Sequence, residues 1–293
     1  MGIQINQKDL GVIYIVPTPI GNLGDFTKRG VEVLNSVDFI LAENIKRTNF
    51  FLKKINISGK FISMNKYNEK NQTKKIIFLI KKKKNIAIVS DGGTPLISDP
   101  GLYLIQKCHE EKIRVVPLPG PCAAITALSA SGLSSLKFCY EGFLSSKNTK
   151  RLKRLKELKK EERTIIFYES SHRIEDSLKN MMSIFGEDRK ISIAKELTKI
   201  WETIYSSSTK NVLIWLKKES LRQKGEWVII VEGYKNVIYE KISEKIKFAY
   251  SLINEELSSK KSIEIISKLY KISKNKLYKY IFRKKMTKKK INV

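Results

Sequence analysis

The sequence contains few of the residues that bind metals or form disulfides. Among its 293 residues are two histidines, His109 and His172, and three cysteines that stand singly in apolar or mixed segments. The cysteines, Cys108, Cys122 and Cys139, show neither the paired spacing of a zinc site nor the density of a disulfide framework. We therefore expect no metal site and no structural disulfide.

Long hydrophobic runs are also missing. No apolar segment approaches the length of a membrane-spanning helix, and the N-terminal segment lacks a basic stretch followed by an apolar core. The expectation is a cytoplasmic protein without membrane association.

Three common motifs of nucleotide and acyl chemistry are absent. They are the glycine-rich dinucleotide fingerprint, the phosphate-binding loop that ends in lysine and serine or threonine, and the nucleophile-elbow serine. A nucleotide-like cofactor would have to bind through loops of another design.

Acidic residues are scarce relative to basic ones. The chain has 57 Lys+Arg against 29 Asp+Glu, which gives a formal net charge of +28 at pH 7. Such an excess favours a large polyanion as partner, because small neutral or cationic metabolites do not require it. Individual lysine runs, such as residues 81–84, are more often solvated helix ends than nucleic-acid sites.

Strand-like and helical segments alternate through the first half of the chain. Short runs of branched apolar residues, each followed by a helical segment, lie at 12–16, 38–43, 61–63, 86–89 and 114–117. This alternation predicts an α/β fold with a parallel sheet. A strand at 138–143 opens a second α/β domain with a mixed sheet. We predict three parts: residues 1–133, residues 134–235, and a small basic helical tail at 236–293 with a helix-turn-helix outline.

Three loops rich in glycine and proline follow strands of the first half. The longest spans 90–101, and the others span 17–22 and 119–122. Adjacent glycines allow a sharp turn and a close approach of a ligand to the main chain. Asp99 followed by Pro100 predicts the N-cap and first residue of the next helix. Any one loop could be an ordinary strand-turn-helix corner, but three of them favour a binding site beyond the carboxyl ends of the strands.

Two segments concentrate positive charge. One is a helix predicted at 147–160 with a leucine stripe, and the other is the tail, where basic residues surround Leu277 and Tyr278. For the first segment, a solvated helix face and a surface for phosphates are equally good interpretations. The residues that we expect to contact RNA are Lys147, Arg151, Arg154, Lys276, Lys279 and Arg283.

Six motifs, taken in order along the chain, carry a resemblance to a known family. They are PTPIGNLGD at 17–25, SDGGTPLISDPG at 90–101, PLPGP at 117–121, FYESSHR at 167–173, KELTK at 195–199 and KGE at 224–226. With these motifs the chain resembles the ribosomal RNA small subunit methyltransferase I family, which belongs to the tetrapyrrole-methylase-like class of S-adenosylmethionine enzymes. The resemblance spans nearly the whole chain, from about residue 12 to the basic tail.

The resemblance implies two α/β domains with S-adenosylmethionine in the cleft between them, and a homodimer. The implied reaction transfers a methyl group to the ribose 2′-hydroxyl of a cytidine in 16S ribosomal RNA, in the small ribosomal subunit. The expected cofactor-binding residues are Pro19, Gly21, Asn22, Asp91, Gly92, Gly93, Thr94, Pro95, Gly120, Pro121, Cys122, Gly225 and Glu226. The candidates for orienting the ribose are Glu43, Glu169, His172, Lys195 and Glu196. Each has a plain alternative as an N-cap, an ion pair or a dimer contact.

The sequence departs from the family pattern at several positions. Asn44, Ile45 and Lys46 stand where aspartate, threonine and arginine are usual, and Gly92 and Ser171 replace alanine and proline. Segment 63–69 lacks the usual histidines. These changes argue against catalytic roles for the side chains at 44, 46, 65 and 67, but they leave the glycine and proline loops almost untouched.

Two other functions compete with ribosomal RNA methylation. One is methylation of a small tetrapyrrole by the same fold, against which the basic helix and the basic tail argue. The other is a non-catalytic RNA-binding assembly factor, in which the three cleft loops would have no role.

Overall fold

A computed structural model of the protein describes residues 10–219, 224–235, 244–270, 272–274 and 277–278. The chain divides into two compact units, one that ends at residue 234 and one that begins at residue 235. The first unit contains two five-stranded sheets. A domain boundary between these sheets, near residue 133, stays a prediction. None of the described helices has the length and apolar character needed to span a bilayer.

The first sheet is parallel throughout. Its strands are β1 (Ile13–Ile15), β2 (Phe39–Ala42), β3 (Phe61–Ser63), β4 (Ile86–Ile88) and β5 (Val115–Pro117). They lie in the order β3-β2-β4-β1-β5. Ile86 and Ile88 pack in one hydrophobic cluster, and Ala87 and Val89 pack in another. Because both faces are buried, the strands are continuous apolar runs in the sequence, and the predicted parallel sheet is confirmed.

Helices connect the strands of the first sheet and follow its last strand. They are α1 (Lys28–Ser36), α2 (Ile45–Lys53), α3 (Glu69–Lys81), α4 (Leu102–Glu110) and α5 (Ala123–Ala130). Polar N-caps begin two of them, since the side chain of Thr27 accepts from Gly30 N and that of Asn44 accepts from Arg47 N. Because the sheet is parallel, all five strands end at the same edge. The glycine and proline loops begin at that edge, after β1, β4 and β5.

The second sheet is mixed, as predicted. Its strands are β6 (Phe138–Phe143), β7 (Thr164–Ser170), β8 (Lys190–Lys195), β9 (Thr203–Ser208) and β10 (Glu226–Val231). In the order β6-β7-β10-β8-β9, the first pair is parallel and the other pairs are antiparallel. Its helices are α6 (Asn148–Glu157), α7 (Ile174–Phe185) and α8 (Thr209–Lys217). The α/β class of the fold is confirmed.

Helix α5 joins the two sheets. It leaves the loop that follows β5, but its buried residues Ala124, Ala127 and Leu128 pack against Ile166 and Val228 of the second sheet. On the other face of that sheet, helices α6, α7 and α8 contribute to a separate core cluster. The second sheet is thus covered on one face by a helix of the first, which fixes the loops of both sheets near one another.

The start of α4 differs from the prediction. Helix α4 begins at Leu102, with Gly101 as N-cap at φ 131°, so Asp99 and Pro100 do not begin it. The cap comes from α3, because Glu69 Oε1 accepts from Gly101 N at 3.1 Å, Tyr103 N at 2.8 Å and Leu104 N at 3.3 Å. A carboxylate at this position also interacts favourably with the helix dipole. Glu69 therefore takes the role predicted for Asp99.

Glu69→Ala should lower the free energy of unfolding by about 1–3 kcal/mol, because three N–H groups at the start of α4 lose their acceptor. Urea unfolding followed by circular dichroism measures the change. Glu110→Ala is the matched control, since Glu110 pairs with Lys107 at the exposed far end of the same helix. Equal stabilities of the two variants would contradict the capping role.

Among its described residues the second unit contains the helices α9 (Glu244–Glu256) and α10 (Ser259–Leu269). Ile263 and Ile266 form the buried face of α10 and pack with Ile246 and Leu277. The helix-turn-helix stays a prediction, because most of its second helix lies outside the described residues.

Candidate functional site

The three predicted loops meet at the carboxyl edge of the first sheet. Thr18 and Gly93 form an isolated antiparallel bridge, with N···O distances of 2.9 and 2.8 Å. Thr94 Oγ1 donates to the carbonyl oxygen of Pro121 at 2.9 Å. These bonds tie the loop at 90–101 to both of the others. The structure therefore brings together the segments that the sequence singled out.

Two glycines allow this close approach. Gly93 is buried at φ 88°, and a Cβ there would lie 3.3 Å from Ile20 Cγ2. A Cβ on Gly120 would lie 2.6 Å from Pro17 Cβ, which no side chain could tolerate without a shift of the loop. Gly93 needs its backbone freedom, and Gly120 needs its small size.

A cavity of about 390 Å³ opens between these loops and the second sheet, and we refer to it as the cleft cavity. Its lining residues are Ile20, Arg47, Asp91, Gly92, Gly93, Thr94, Ile97, Ser98, Asp99, Cys122, Ala123, Phe143, Tyr168, Glu169, Ser170, Ala194, Leu197, Glu226, Trp227 and Val228. The volume is in the range of cavities that hold small organic ligands. Its walls combine apolar side chains with several carboxylates.

The predicted cofactor residues divide into two groups. Those that line the cleft cavity are Asp91, Gly92, Gly93, Thr94, Cys122 and Glu226. Those outside its lining are Pro19, Gly21, Asn22, Pro95, Gly120, Pro121 and Gly225. Two of the second group hold the loops in place, since Asn22 N donates to Thr198 Oγ1 at 3.1 Å and Pro121 O accepts from Thr94 Oγ1. A direct contact of the second group with a ligand stays a prediction.

A network of charges closes the side of the cleft formed by the second sheet. Glu196 Oε1 accepts from Glu226 N at 2.8 Å and from Lys199 Nζ at 2.9 Å, and Lys199 Nζ also lies 2.9 Å from Glu226 Oε2. Burial works to raise the pKa of Glu196, but the hydrogen bonds from Glu226 N and Lys199 outweigh it and lower the pKa. Glu196 is therefore a structural acceptor that holds this loop, not a free base.

The predicted catalytic residues do not form one cluster. Glu169 lines the cleft cavity but is 2% exposed, and it accepts from Ser177 Oγ at 2.5 Å and Ser170 N at 2.8 Å, with Arg173 at 3.2 Å. His172 lies exposed in the turn before α7, outside the lining of the cavity. Both are therefore poor candidates for removing a proton from a ligand.

Glu43 and Lys195 also lie outside the lining of the cleft cavity. Glu43 is exposed and belongs to a neighbouring groove. Lys195 Nζ lies 5.7 Å from the ring centroid of Trp227, which itself lines the cavity. Through this contact Lys195 can support the wall of the cleft cavity. The negative charge of Glu43 raises the pKa of Asp99, which lines that cavity.

Asp99 is the residue that sequence reasoning missed. It lines the cleft cavity, and burial raises its pKa to about 6, although a hydrogen bond with Ser90 opposes the rise. The charges of Glu43 and Asp91 raise the pKa further. A carboxylate with a pKa near neutrality, beside two others, is suited to accept a proton from a ligand. In the sequence, Asp99 followed by Pro100 predicts a helix cap, and that pattern does not indicate a proton acceptor.

Two aromatic residues of the second sheet, Phe143 and Tyr168, line the cavity, and Tyr140 packs beside them. The rings of Tyr140 and Phe143 lie 5.1 and 5.6 Å from that of Tyr168, measured between centroids. Ser98 Oγ and Tyr140 Oη are 2.6 Å apart, and Tyr168 Oη accepts from Ala124 N at 3.1 Å. Burial raises the pKa of both tyrosines. They stay protonated at neutral pH and are not bases.

The predicted RNA-contacting residues require one correction. Arg151 is 4% exposed, and its guanidinium donates to Asn180 Oδ1 at 2.7 Å, so its prediction as an RNA contact is wrong. Arg154 is exposed but engaged by Glu141 and Glu157, each at 2.8 Å. Lys147 is exposed and remains a candidate. Lys276, Lys279 and Arg283 lie outside the described residues.

No group of three or more histidine, cysteine, aspartate or glutamate side chains in the described part of the chain is arranged to hold a metal ion. The groups that line the cleft cavity are carboxylates, main-chain groups, and apolar and aromatic side chains.

Asp99→Asn should raise the free energy of unfolding by about 1–2 kcal/mol at pH 8. This is less than the free energy that corresponds to the full pKa shift, because Asp99 is partly exposed and solvent screens its charge. The folded-state pKa of about 6 exceeds the ordinary aspartate value of 3.8, so the stability of the wild type falls as pH rises between these values. Asparagine mimics the protonated acid and avoids that loss. Thermal unfolding at pH 4 and pH 8 measures the difference. A gap of the same size at both pH values would contradict the assigned pKa.

Comparisons with known proteins agree with the fold. Residues 12–212 match the family model of the Tetrapyrrole (Corrin/Porphyrin) Methylases. Among solved structures, uroporphyrin-III C-methyltransferase from Thermus thermophilus aligns with a TM-score of 0.54 at 16% identity, covering 76% of this chain and 94% of that one. The cobalt precorrin-4 methyltransferase CbiF aligns with a TM-score of 0.55 at 16% identity, covering 79% and 98%. At this identity the two structures show a shared fold.

Curated relatives are much more similar in sequence. Ribosomal RNA small subunit methyltransferase I of Buchnera aphidicola subsp. Acyrthosiphon pisum is 50% identical over 280 residues, which cover 96% of this chain and 99% of the relative. The protein of the same name from Escherichia coli O157:H7 is 46% identical over 277 residues, covering 94% and 96%. The similarity extends beyond the part matched by the family model.

Proposed function

This chain belongs to the tetrapyrrole methylase family, and within it to the ribosomal RNA small subunit methyltransferase I family, and we propose that it methylates ribosomal RNA with S-adenosylmethionine. The finer proposal is transfer to the ribose 2′-oxygen of a cytidine in 16S ribosomal RNA. The observation that carries it is a glycine-walled cleft cavity with Asp99 among its lining residues. A hydroxyl nucleophile needs a proton acceptor, and the cleft contains one.

The cleft cavity fits S-adenosylmethionine. When bound, that cofactor supplies a methyl group activated by a sulfonium cation. Asp91, Asp99 and Glu226 give the cavity negative charge that complements a cation, and Ile20, Leu197 and Val228 provide apolar contact for a nucleoside. Gly92 lines the cavity at an exposed position, where an added Cβ would make only ordinary contacts, with Pro19 O at 3.4 Å and Ile20 Cα at 3.8 Å.

Three residues of the cleft divide the remaining tasks. Asp99 takes the proton of the ribose hydroxyl at its carboxylate. Arg47 lies 3.4 Å from Asp91 and orients that carboxylate on the wall of the cavity. Tyr168, held by Ala124 N, fixes the start of α5 against the second sheet. Alignment of the reacting groups supplies much of the rate increase in such a displacement.

The substrate proposal is supported by charge. A net charge of +28 suits a ribonucleoprotein and exceeds what a small tetrapyrrole would require. We infer that the assembled small subunit is the substrate, because broad basic surfaces favour recognition of shape over bare sequence. Cytoplasmic location and a homodimer are parts of the same proposal, the first from the ribosomal substrate and the second from the family.

Radiolabelled S-adenosylmethionine tests the proposal. Small subunits that lack the modification should accept label far better than naked RNA of the same sequence, and fully modified subunits serve as the control. The label should lie on the 2′-oxygen of a cytidine, which makes the adjoining phosphodiester resistant to alkali. Label on a base or on a tetrapyrrole, or equal labelling of short unstructured RNA, would contradict it.

A further inference from the structure

A second opening, beside the cleft cavity, has no role in the chemistry described above. We refer to it as the groove, and its lining residues are Glu43, Asn44, Ile45, Lys46, Ser63, Asn65, Tyr67 and Asp91. It is open to solvent, with a volume of about 500 Å³, and it lies beyond the carboxyl ends of β2 and β3. Asp91 lines both the groove and the cleft cavity, so the two openings share a wall.

Tyr67 presents an exposed ring at the groove. It is 85% exposed, yet its position is fixed by a tight turn. Asn65 Oδ1 accepts from Tyr67 N at 3.0 Å and Asn68 N at 3.2 Å, and Asn68 Oδ1 accepts from Asn65 N at 2.8 Å. A large ring held out to solvent on a preorganised turn is a surface on which a nucleobase can stack.

Charges around the groove complement the other parts of a nucleotide. Lys66 Nζ lies 4.9 Å from the centroid of the Tyr67 ring, and Lys46 is exposed on the groove itself. Within the described residues neither lysine forms an ion pair, so both are available to phosphates. On the side of the cleft, the carboxylates of Glu43 and Asp91 offer acceptors to ribose hydroxyls.

We propose that the groove binds the target nucleotide of single-stranded RNA, with Tyr67 stacked on its base and Lys46 and Lys66 at adjacent phosphates. The sugar then lies at the wall shared with the cleft cavity, where its hydroxyl faces the methyl donor. This proposal rests on the proposed function, since it assigns the substrate subsite of that reaction. Tyr67 is a positioning residue, and its loss should act on substrate binding rather than on cofactor binding.

Steady-state kinetics with unmodified small subunits tests the stacking. Tyr67→Ala should lower kcat/KM by about 5- to 100-fold, mainly through a higher KM, and Tyr67→Phe should keep nearly all of it because the ring remains. Phe78→Ala is the matched control, since Phe78 is an exposed ring on α3 beneath Lys82 and outside the groove. Calorimetry should show the same S-adenosylmethionine affinity for all of these proteins.

A cross-linking experiment separates this proposal from the proposed function. Unmodified small subunits whose RNA carries 5-iodocytidine at the target position, irradiated with the wild-type protein, should cross-link to the peptide that contains Tyr67. Methylation by the wild type without this cross-link, together with normal kinetics of Tyr67→Ala, would overturn the groove alone. A cross-link at Tyr67 in a protein that transfers no methyl group to RNA would keep the groove and overturn the proposed function. Failure of both experiments would overturn both.

Discussion

Asp99→Asn should lower kcat for methyl transfer by about 100- to 10,000-fold, the range typical of losing a general base. Asparagine keeps the shape of the side chain but cannot take the proton of the hydroxyl. Affinity for S-adenosylmethionine should fall by a much smaller factor, because Asp91 and Glu226 keep their charges in the cavity. Single-turnover kinetics and calorimetry measure the two quantities separately.

The control for this experiment is Asp176→Asn, which removes an exposed carboxylate near Lys179 on α7. Wild-type kcat/KM for S-adenosylmethionine should rise with pH through a midpoint near 6, as Asp99 loses its proton, and Asp176→Asn should keep that profile. If Asp99→Asn retained most of the activity, or the same pH profile, another group would have to be the base.

Gly93→Val should weaken S-adenosylmethionine binding by about 10- to 100-fold, as expected for a distortion that costs a few kcal/mol. A branched side chain is strained at φ 88°, and its Cβ would press on Ile20 in the wall of the cleft cavity. The bridge between Gly93 and Thr18 would have to shift as well. Calorimetry measures the affinity, and circular dichroism verifies that the variant is folded.

Gly186→Val separates backbone strain from damage to the cleft. Gly186 has a similar φ of 97°, but it ends α7 at an exposed position where a Cβ would meet nothing within 4 Å. This variant should lose stability and still bind S-adenosylmethionine normally. If both glycine variants bound the cofactor equally well, the loop at 90–101 would not form its site.

The parts of the fold that depend on local pattern could be predicted from the sequence. The strands of the first sheet are buried on both faces, so their apolar runs are unbroken, and β4 was found within one residue of its observed bounds. The loops at 17–22, 90–101 and 119–122 were identified because glycine and proline mark turns wherever they occur. Their meeting at one edge follows from the parallel order of the strands.

Features that depend on distant partners could not be predicted. Asp99 followed by proline is a strong local signal for a helix cap, yet Glu69 of α3 provides that cap and leaves Asp99 in the cleft. Arg151 belongs to a visibly basic segment, but Asn180 of the next helix holds it in the interior. In both cases the deciding contact is made by a residue about thirty positions away, which local spacing does not reveal.

The order of strands in the first sheet has a consequence for the synthesis of this protein. Strand β1 leaves the ribosome before both of its neighbours, β4 and β5, which are encoded much later in the chain. At about 5–20 residues per second, β1 waits roughly 4 to 15 s for β4 to be translated. During that interval the N–H and C=O groups along both edges of β1 have no native partner strand. A nascent chain stalled before residue 86 would therefore expose an unpaired strand to the aggregation that chaperones prevent.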